Sequence, residues 1–234
     1  MAIELFDIDK GYALFSKSNY QTKKHTHYAI EVVRCTKGFF NIATTSEHTN
    51  IKSVIIPPNL PHSFNCLKAE CDLLFVDPLS DMGKYVMESF NLASHKDVII
   101  NPTELNQFLN NGTFNIASIL NSSETYPRKS LDDRILKCID AINSLITESK
   151  ITITQLSEVS LLSESRLAHL FKEQLGISVH QCILWKKLCL AMLKSREGYT
   201  LTESAHYVGF SDSSHFNKVF YKMFGINPFF VLKS

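Results

Sequence analysis

The sequence predicts two domains of different class, a small antiparallel β-barrel with flanking helices and then an all-α domain with two helix-turn-helix motifs. Three observations predict this. Between about residues 28 and 76, short runs of β-branched and aromatic residues alternate with turn residues. Beyond about residue 131 the spacing of apolar residues becomes helical. Within this helical stretch a segment is written twice: Leu170-Phe171-x-x-x-Leu175-Gly176-Ile177 recurs 49 residues later as Val219-Phe220-x-x-x-Phe224-Gly225-Ile226. With 234 residues, 44% of them hydrophobic, the chain can bury a core in each of two small domains.

Strands are expected at 29–35, 39–44, 51–56, 62–67 and 71–76, separated by Lys37-Gly38, the polar stretch 46–50 and Pro57-Pro58-Asn59. Short strands at this spacing suggest a barrel. From Pro78 the period changes. Met82, Tyr85, Val86 and Phe90 share one helical face, and Leu105, Phe108 and Leu109 begin another helix. That apolar face either folds back on the barrel or pairs with a second subunit. Residues 121–130, polar and containing Pro127, read as a linker between a domain at 1–120 and one at 131–234.

After the linker, Leu131, Ile135, Ile139, Ile142 and Ile146 mark an amphipathic helix, with Ser130 as its N-cap before Asp132 and Asp133. The first helix-turn-helix follows as a short helix at 155–160, a turn at Leu161-Leu162 and a second helix started by Ser163. A long helix at 178–194, with the only tryptophan, Trp185, leads to the second copy. That copy has a helix at 202–208, a turn at Gly209-Phe210 and a helix started by Ser211.

No apolar run approaches the roughly 20 residues that span a bilayer, and Met1-Ala2-Ile3-Glu4 lacks both the basic start and the apolar core of a signal segment. A cytoplasmic protein with no membrane partner is expected. Six scattered cysteines read as reduced, buried thiols. Cys66 and Cys71 are the candidate redox or metal pair, against which core packing is the simpler reading. From Leu131 onward there are 12 Lys and Arg against 10 Asp and Glu, and before it 12 against 13. This balance favours nucleic acid only weakly, so a local basic face has to carry the argument.

In a helix-turn-helix the second helix enters the major groove, held by apolar residues on its inner side. In the first copy Leu167, Leu170 and Phe171 are core, leaving Ser165, Arg166, His169 and Lys172 outward. In the second, Phe216, Val219 and Phe220 are core, leaving Ser213, Ser214, His215, Asn217 and Lys218 outward. Asn can pair twice with adenine and Arg twice with guanine, whereas Ser and Lys mainly hold phosphates. Polar residues line the outside of every amphipathic helix, so a single copy would mean little. Two copies on one connecting helix can set two readers about one DNA turn, ~34 Å, apart.

With these residues in place, the segment from about 131 to 233 resembles the DNA-binding domain of the AraC/XylS family of bacterial transcription regulators. The resemblance rests on Ala205, Gly209-Phe210, Ser211, Ser214-His215-Phe216, Phe220, Phe224-Gly225 and Pro228, and upstream on Leu156, Ser163, Leu170-Phe171-Lys172, Gly176 and Lys187-Leu188-x-x-Ala191. The sequence departs from the pattern at three places. Leu161 stands where the family's first turn usually has Gly, so that turn either avoids a positive φ or carries strain. Val231-Leu232 replaces a Tyr-Arg pair, and Ala168 replaces a longer polar residue.

Upstream, His25-x-His27-x3-Glu31-x6-Gly38 and Pro57-x4-His62 resemble the two cupin motifs, which implies a cupin-like jelly-roll. The Gly before the first motif is missing, and Asn59 stands at the Gly of the second. Three imidazoles and a carboxylate would suit Fe(II), Mn(II), Ni(II) or Zn(II). In AraC-type regulators, the resemblance implies, such residues serve packing or effector contact without metal. The expectation is therefore no cofactor, with a divalent transition metal on His25, His27, Glu31 and His62 as the alternative. A small-molecule pocket is expected to use those four residues, with Phe40, Phe64 and Phe75 as walls; a one-residue register slip would turn them outward.

The resulting expectation is a non-enzymatic, sequence-specific regulator of double-stranded DNA, controlled by a small-molecule effector and homodimeric, with RNA polymerase as a candidate partner. The rivals are a metal-dependent cupin enzyme with a helical accessory domain and a ligand-independent dimeric DNA-binding protein.

Overall fold

The computed structural model describes residues 2–7, 10–18, 21–126, 131–224 and 227–228. Two compact units divide the chain, one of Met1–Pro127 with Lys222–Ser234 and one of Arg128–Tyr221.

The first unit is β-rich. Its strands are β1 (Ala2–Asp7), β2 (Tyr12–Ser18), β3 (Ile30–Lys37), β4 (Phe40–Ala43), β5 (Glu47–Ile51), β6 (Ser53–Ile56), β7 (Ser63–Asn65) and β8 (Glu70–Val76), followed by helix α1 (Asp81–Ser89) and strand β9 (Ile99–Ile100). A six-stranded sheet runs β1-β2-β8-β3-β6-β9, and a three-stranded sheet runs β5-β4-β7. Strands β1 and β2 escaped the sequence reading. In β2 Ala13, Leu14 and Phe15 are all buried, so the half-polar alternation that marks a one-faced strand is absent. The polar stretch expected as a turn at 46–50 is largely β5, the edge of the small sheet, and its exposed polar side chains suit an edge.

Side-chain alternation gives β3 two distinct faces. Ile30 and Val32 join Leu14, Ile55, Leu74 and Val76 in a core closed by Met82, Val86 and Phe90 of α1, by Leu105 and Phe108, and by Ile116 and Ile119 of helix α2 (Ile116–Glu124). The apolar face of α1 is thus consumed within its own chain, the first of the two alternatives that its sequence allows. Glu31, Val33 and Cys35 point the other way, opposite Phe75, Leu73 and Cys71 of β8 in register.

The helix expected to begin at Leu105 is instead a 3₁₀ turn, Thr103–Phe108, leading into a small hairpin of β10 (Leu109–Asn110) and β11 (Thr113–Phe114). Asn111 and Gly112 both take positive φ, as a two-residue hairpin turn requires, and the Arg34 guanidinium donates to the Gly112 carbonyl. Helix α2 also corrects the linker, because its last turn occupies 121–124. The residues from Pro127 to Ser130 lie outside the described ones.

The second unit is helical, with α3 (Asp133–Ser144), α4 (Ile153–Ser160), α5 (Glu164–Leu175), α6 (Val179–Arg196) and α7 (Leu201–Tyr207), and with α8 (Ser213–Phe224) up to Tyr221. Asp132, rather than Ser130, caps α3 by accepting the Arg134 N–H. Capping boxes start three helices: Thr152 with Gln155 for α4, Ser178 with Gln181 for α6 and Thr200 with Glu203 for α7. Trp185, Leu188, Ala191 and Met192 bury α6 as the central helix of this unit.

The two turns solve the same backbone problem differently. Leu161 ends α4 in the left-handed region at φ 55° with its side chain 86% exposed, so it carries the strain that a glycine would avoid. Gly209 follows α7 at φ 76°, where an added Cβ would come within 2.5 Å of the Glu148 carbonyl oxygen. That carbonyl also accepts from the Lys187 ammonium on α6. We expect Leu161→Gly to stabilise the protein by up to about 1 kcal/mol, relief of left-handed strain exceeding the added unfolded-state entropy. Gly209→Ala should destabilise it by roughly 2 kcal/mol or more, since strain and overlap add. Urea unfolding of the full chain measures both.

Candidate nucleic-acid interface and buried histidine cluster

Helix α5 begins where the Ser163 side chain accepts the Arg166 N–H, and ends at Gly176 in the left-handed region. Leu167, Leu170 and Phe171 are buried, while Ser165, Arg166, His169 and Lys172 are all exposed. His169 Nδ1 lies 3.5 Å from Glu173 Oε2 on the same exposed face, a pairing too solvated to hold the ring firmly. Glu164, unremarked in the sequence, stands exposed in the first turn and accepts from the Thr154 hydroxyl. Its carboxylate favours the positive end of the helix and is a residue type that accepts from cytosine.

In α8 Phe216 and Phe220 are buried, and Ser214, His215 and Lys218 are exposed. Ser213 and Val219 are half-buried. Asn217 is also half-buried, and its Oδ1 is buried with no hydrogen-bond partner. It therefore does not present both amide groups to solvent. The acceptor for the His215 N–H is Asp212 Oδ1 at 2.7 Å, and this bond and that from the Ser211 hydroxyl hold the Asp212 carboxyl below its usual range. Gly225 and Val231-Leu232 of the sequence pattern lie outside the described residues.

Beside the start of α8 is a groove of about 720 Å³ whose lining includes Lys150, His180, Lys187, His206, Ser211 and His215. Burial pushes the Lys187 ammonium below its ordinary pKa, against the nearby charge of Glu148. Lys150, His180 and His206 were missed in the sequence because they come from three separate segments. Their shared basic character was visible there, but their convergence was not.

In the first unit, His25, His27 and His62 come together, with candidate ligand atoms all within 4.8 Å of one another. His25 and His62 face each other across an isolated bridge between their backbones. Each Nδ1 contacts a backbone carbonyl: His25 that of Lys23 at 3.0 Å, His27 that of Ala29 at 2.8 Å and His62 that of Leu60 at 2.8 Å. A carbonyl only accepts, so each Nδ1 carries a proton and each neutral ring keeps its lone pair on Nε2. His27 Nε2 lies 2.9 Å from Glu31 Oε2. An ionised carboxylate also only accepts, so His27 and Glu31 share a further proton. His62 Nε2 is 3.4 Å from the same oxygen but buried without a hydrogen bond.

Burial alone would raise the Glu31 carboxyl, but the imidazoles of His27 and His62 outweigh it and hold the group below the usual carboxylate range. His25 is pushed down to about 4, first by burial and next by His62, with Glu31 opposing. Phe75 stands edge-on to His27 with ring centres 5.5 Å apart, and also meets Phe15 at 5.6 Å and Phe224 at 5.5 Å. Phe15, on the overlooked β2, is thus an aromatic neighbour the sequence reading missed. Phe40 and Phe64, both buried, pack on each other at 4.9 Å across β4 and β7.

A helix-turn-helix domain model matches residues 156–233. LumQ of Photobacterium leiognathi, named as a transcriptional regulator, is 28% identical over 188 residues, covering 74% of this chain and 75% of that one. The arabinose operon regulatory protein of Escherichia coli (strain K12) is 32% identical over 99 residues, 42% of this chain and 34% of its own. The C-terminal part of the chain is thus similar in sequence to the helix-turn-helix domains of transcription regulators. The likeness in fold extends beyond the helical domain. ToxT from Vibrio cholerae superposes with a TM-score of 0.58 at 12% identity, covering 94% of this chain and 97% of ToxT. A ToxT structure bound to an unsaturated fatty acid gives 0.58 at 14% identity, covering 93% and 92%.

The histidine cluster imposes a pH dependence on the stability of the fold. Between the unfolded imidazole value near 6.5 and about 4 in the fold, the unfolded state binds more protons at His25, so stability falls as pH drops through that window. Glu31, also depressed, adds a loss below the ordinary carboxylate range. Denaturant unfolding in chelator from pH 7 to pH 4 should show this slope, and His25→Asn should flatten its upper range.

Proposed function

We propose that this regulator binds specific double-stranded DNA through two helix-turn-helix motifs, α4–α5 and α7–α8, under the control of a small molecule held in a cupin-like, jelly-roll first domain. The observation that carries the DNA reading is the repeated division of α5 and α8 into a buried apolar side and an exposed side bearing Ser, His, Lys and, in α5, Arg166. On this reading Arg166 and Asn217 read base edges, while Ser165, His169, Lys172, Ser213, Ser214, His215 and Lys218 position the helices. Lys150 and His180, in the groove beside His215, add phosphate contacts. The regulator acts in the cytoplasm as a homodimer, doubling the readers along a repeated site, with RNA polymerase as a partner at the promoter.

The effector would contact His25, His27, Glu31 and His62, walled by Phe75, Phe40 and Phe64. The fatty acid in a ToxT structure supports a small-molecule effector for a protein of this fold. The buried Glu31 carboxylate argues for different chemistry here, a neutral hydroxylated or cationic molecule, because an anion beside it would be repelled. Control requires that the effector bind the DNA-competent and DNA-incompetent states with different affinity.

One observation favours a second reading of the cluster. Three Nδ1 atoms tied to carbonyls would leave three Nε2 lone pairs beside a carboxylate once the proton shared by His27 and Glu31 is displaced, a donor set that fits a divalent transition metal. His25, His27, His62 and Glu31 would hold it, and it would supply a fixed positive charge that polarises a bound oxygen. The effector reading expects metal analysis of dialysed protein to give far less than one equivalent, with a melting point unmoved by Zn(II) or Mn(II). A stoichiometric metal that survives dialysis would replace it with the second reading.

Selection of genomic fragments followed by footprinting at fixed salt tests the DNA reading. Protection of two adjacent major grooves is expected, and retention independent of sequence would sink it. Arg166→Ala should lose about 1 to 3 kcal/mol of discrimination at particular base pairs. Lys218→Ala and Lys150→Ala should weaken all sequences alike and lower the salt slope by roughly one each.

A further inference from the structure

The sequence pairs Cys66 with Cys71 by proximity, but the fold gives Cys71 a different neighbour. Cys35 on β3 and Cys71 on β8 are partners in register, and their sulfur atoms lie 3.0 Å apart. The Cys35 N–H donates to the Lys52 carbonyl, on the side away from β8. In an antiparallel ladder a residue's N–H and C=O point to the same side, so Cys35 and Cys71 form a non-hydrogen-bonded pair. Such pairs bring Cα atoms to about 4.5 Å, inside the span a disulfide bridges. The register shifts immediately after Cys35, which gives the strand local freedom to adjust.

We propose that Cys35 and Cys71 are a peroxide-oxidisable dithiol, a redox modification site within the sensing domain. The Cys35 thiolate attacks one oxygen of hydrogen peroxide; the O–O bond breaks and the departing hydroxide is protonated to water. Cys35 becomes a sulfenic acid. The Cys71 sulfur then attacks the Cys35 sulfur, the S–O bond breaks, and the hydroxyl leaves as water with the Cys71 proton. Two thiols are oxidised to one disulfide and the peroxide is reduced to two waters.

The roles follow from the charges around the pair. The Cys71 hydrogen bond lowers the Cys35 thiol, against burial, with Lys52 and Arg34 helping. The same bond and burial push Cys71 up, so Cys71 keeps its proton. Both sulfurs are buried, yet the next residues in the chain, Thr36 and Glu70, are exposed, so the pair sits one residue from the surface end of the two strands. Cys66, also buried, is close enough to Cys71 to raise it and is the competing partner.

The test treats the reduced full chain with hydrogen peroxide, blocks remaining thiols with N-ethylmaleimide in denaturant, and maps peptides by mass spectrometry before and after dithiothreitol. The expected result is loss of two of the six thiols, one Cys35–Cys71 linked peptide, and full recovery on reduction. Cys66→Ser should keep the link and Cys35→Ser should abolish it. Six alkylated thiols, or a Cys66–Cys71 link in the wild-type chain, overturns the proposal, and the wild-type map decides this whether or not a variant folds.

Discussion

A carboxylate removed from water has to be compensated before a sheet can close over it, and in the first unit that requirement falls on Glu31. The residue points away from the helix-covered face of β3 and toward three imidazoles. Because the Nδ1 atoms are committed to carbonyls at Lys23, Ala29 and Leu60, the segments on either side of β3 are pinned to the carboxylate through the rings. The hydrophobic core beneath α1 and α2 supplies area but could form in more than one register. The charge cluster tolerates only one, since a slip of one residue would bury Glu31 among Met82, Val86 and Phe108.

The helical unit obeys a different constraint, the need to reverse the chain sharply twice while keeping α5 and α8 firmly seated. Glu148 links that problem to the rest of the unit, because its carbonyl meets both the Lys187 ammonium and the backbone of Gly209. The turn before α8 therefore lies closely against the segment after α3, which Lys187 ties to the central helix α6. The first turn has Leu161 in the same backbone region with its side chain in solvent.

Much of this was legible because the helical period survives in any context. Leu167, Leu170 and Phe171 recur at spacings that define one face, and the duplicated segment exposed the second helix pair directly. The convergence of His25, His27, Glu31 and His62 was legible from motif spacing, whereas the direction of each ring was not, since it depends on carbonyls that no pattern of residue types encodes. Strand β2 was hidden by burial on both sides, and α2 by its serine-rich last turn, where Ser123 turns its hydroxyl back to the Leu120 carbonyl. The pairing of Cys35 with Cys71 needed the strand order, which places β8 between β2 and β3.

On the proposed DNA reading, the buried carbonyl of Asn217 would carry a kinetic consequence. An amide that packs its acceptor against protein in the free state has to rotate before it can pair with both N6 and N7 of an adenine. Exposed Lys172 and Lys218 need no such rearrangement. Encounter and sliding would then run on phosphate contacts that are ready from the start, and the amide would engage only once the helix had settled. Arrival would be governed by charge, and the time spent on the correct sequence by a side chain that has to let go twice.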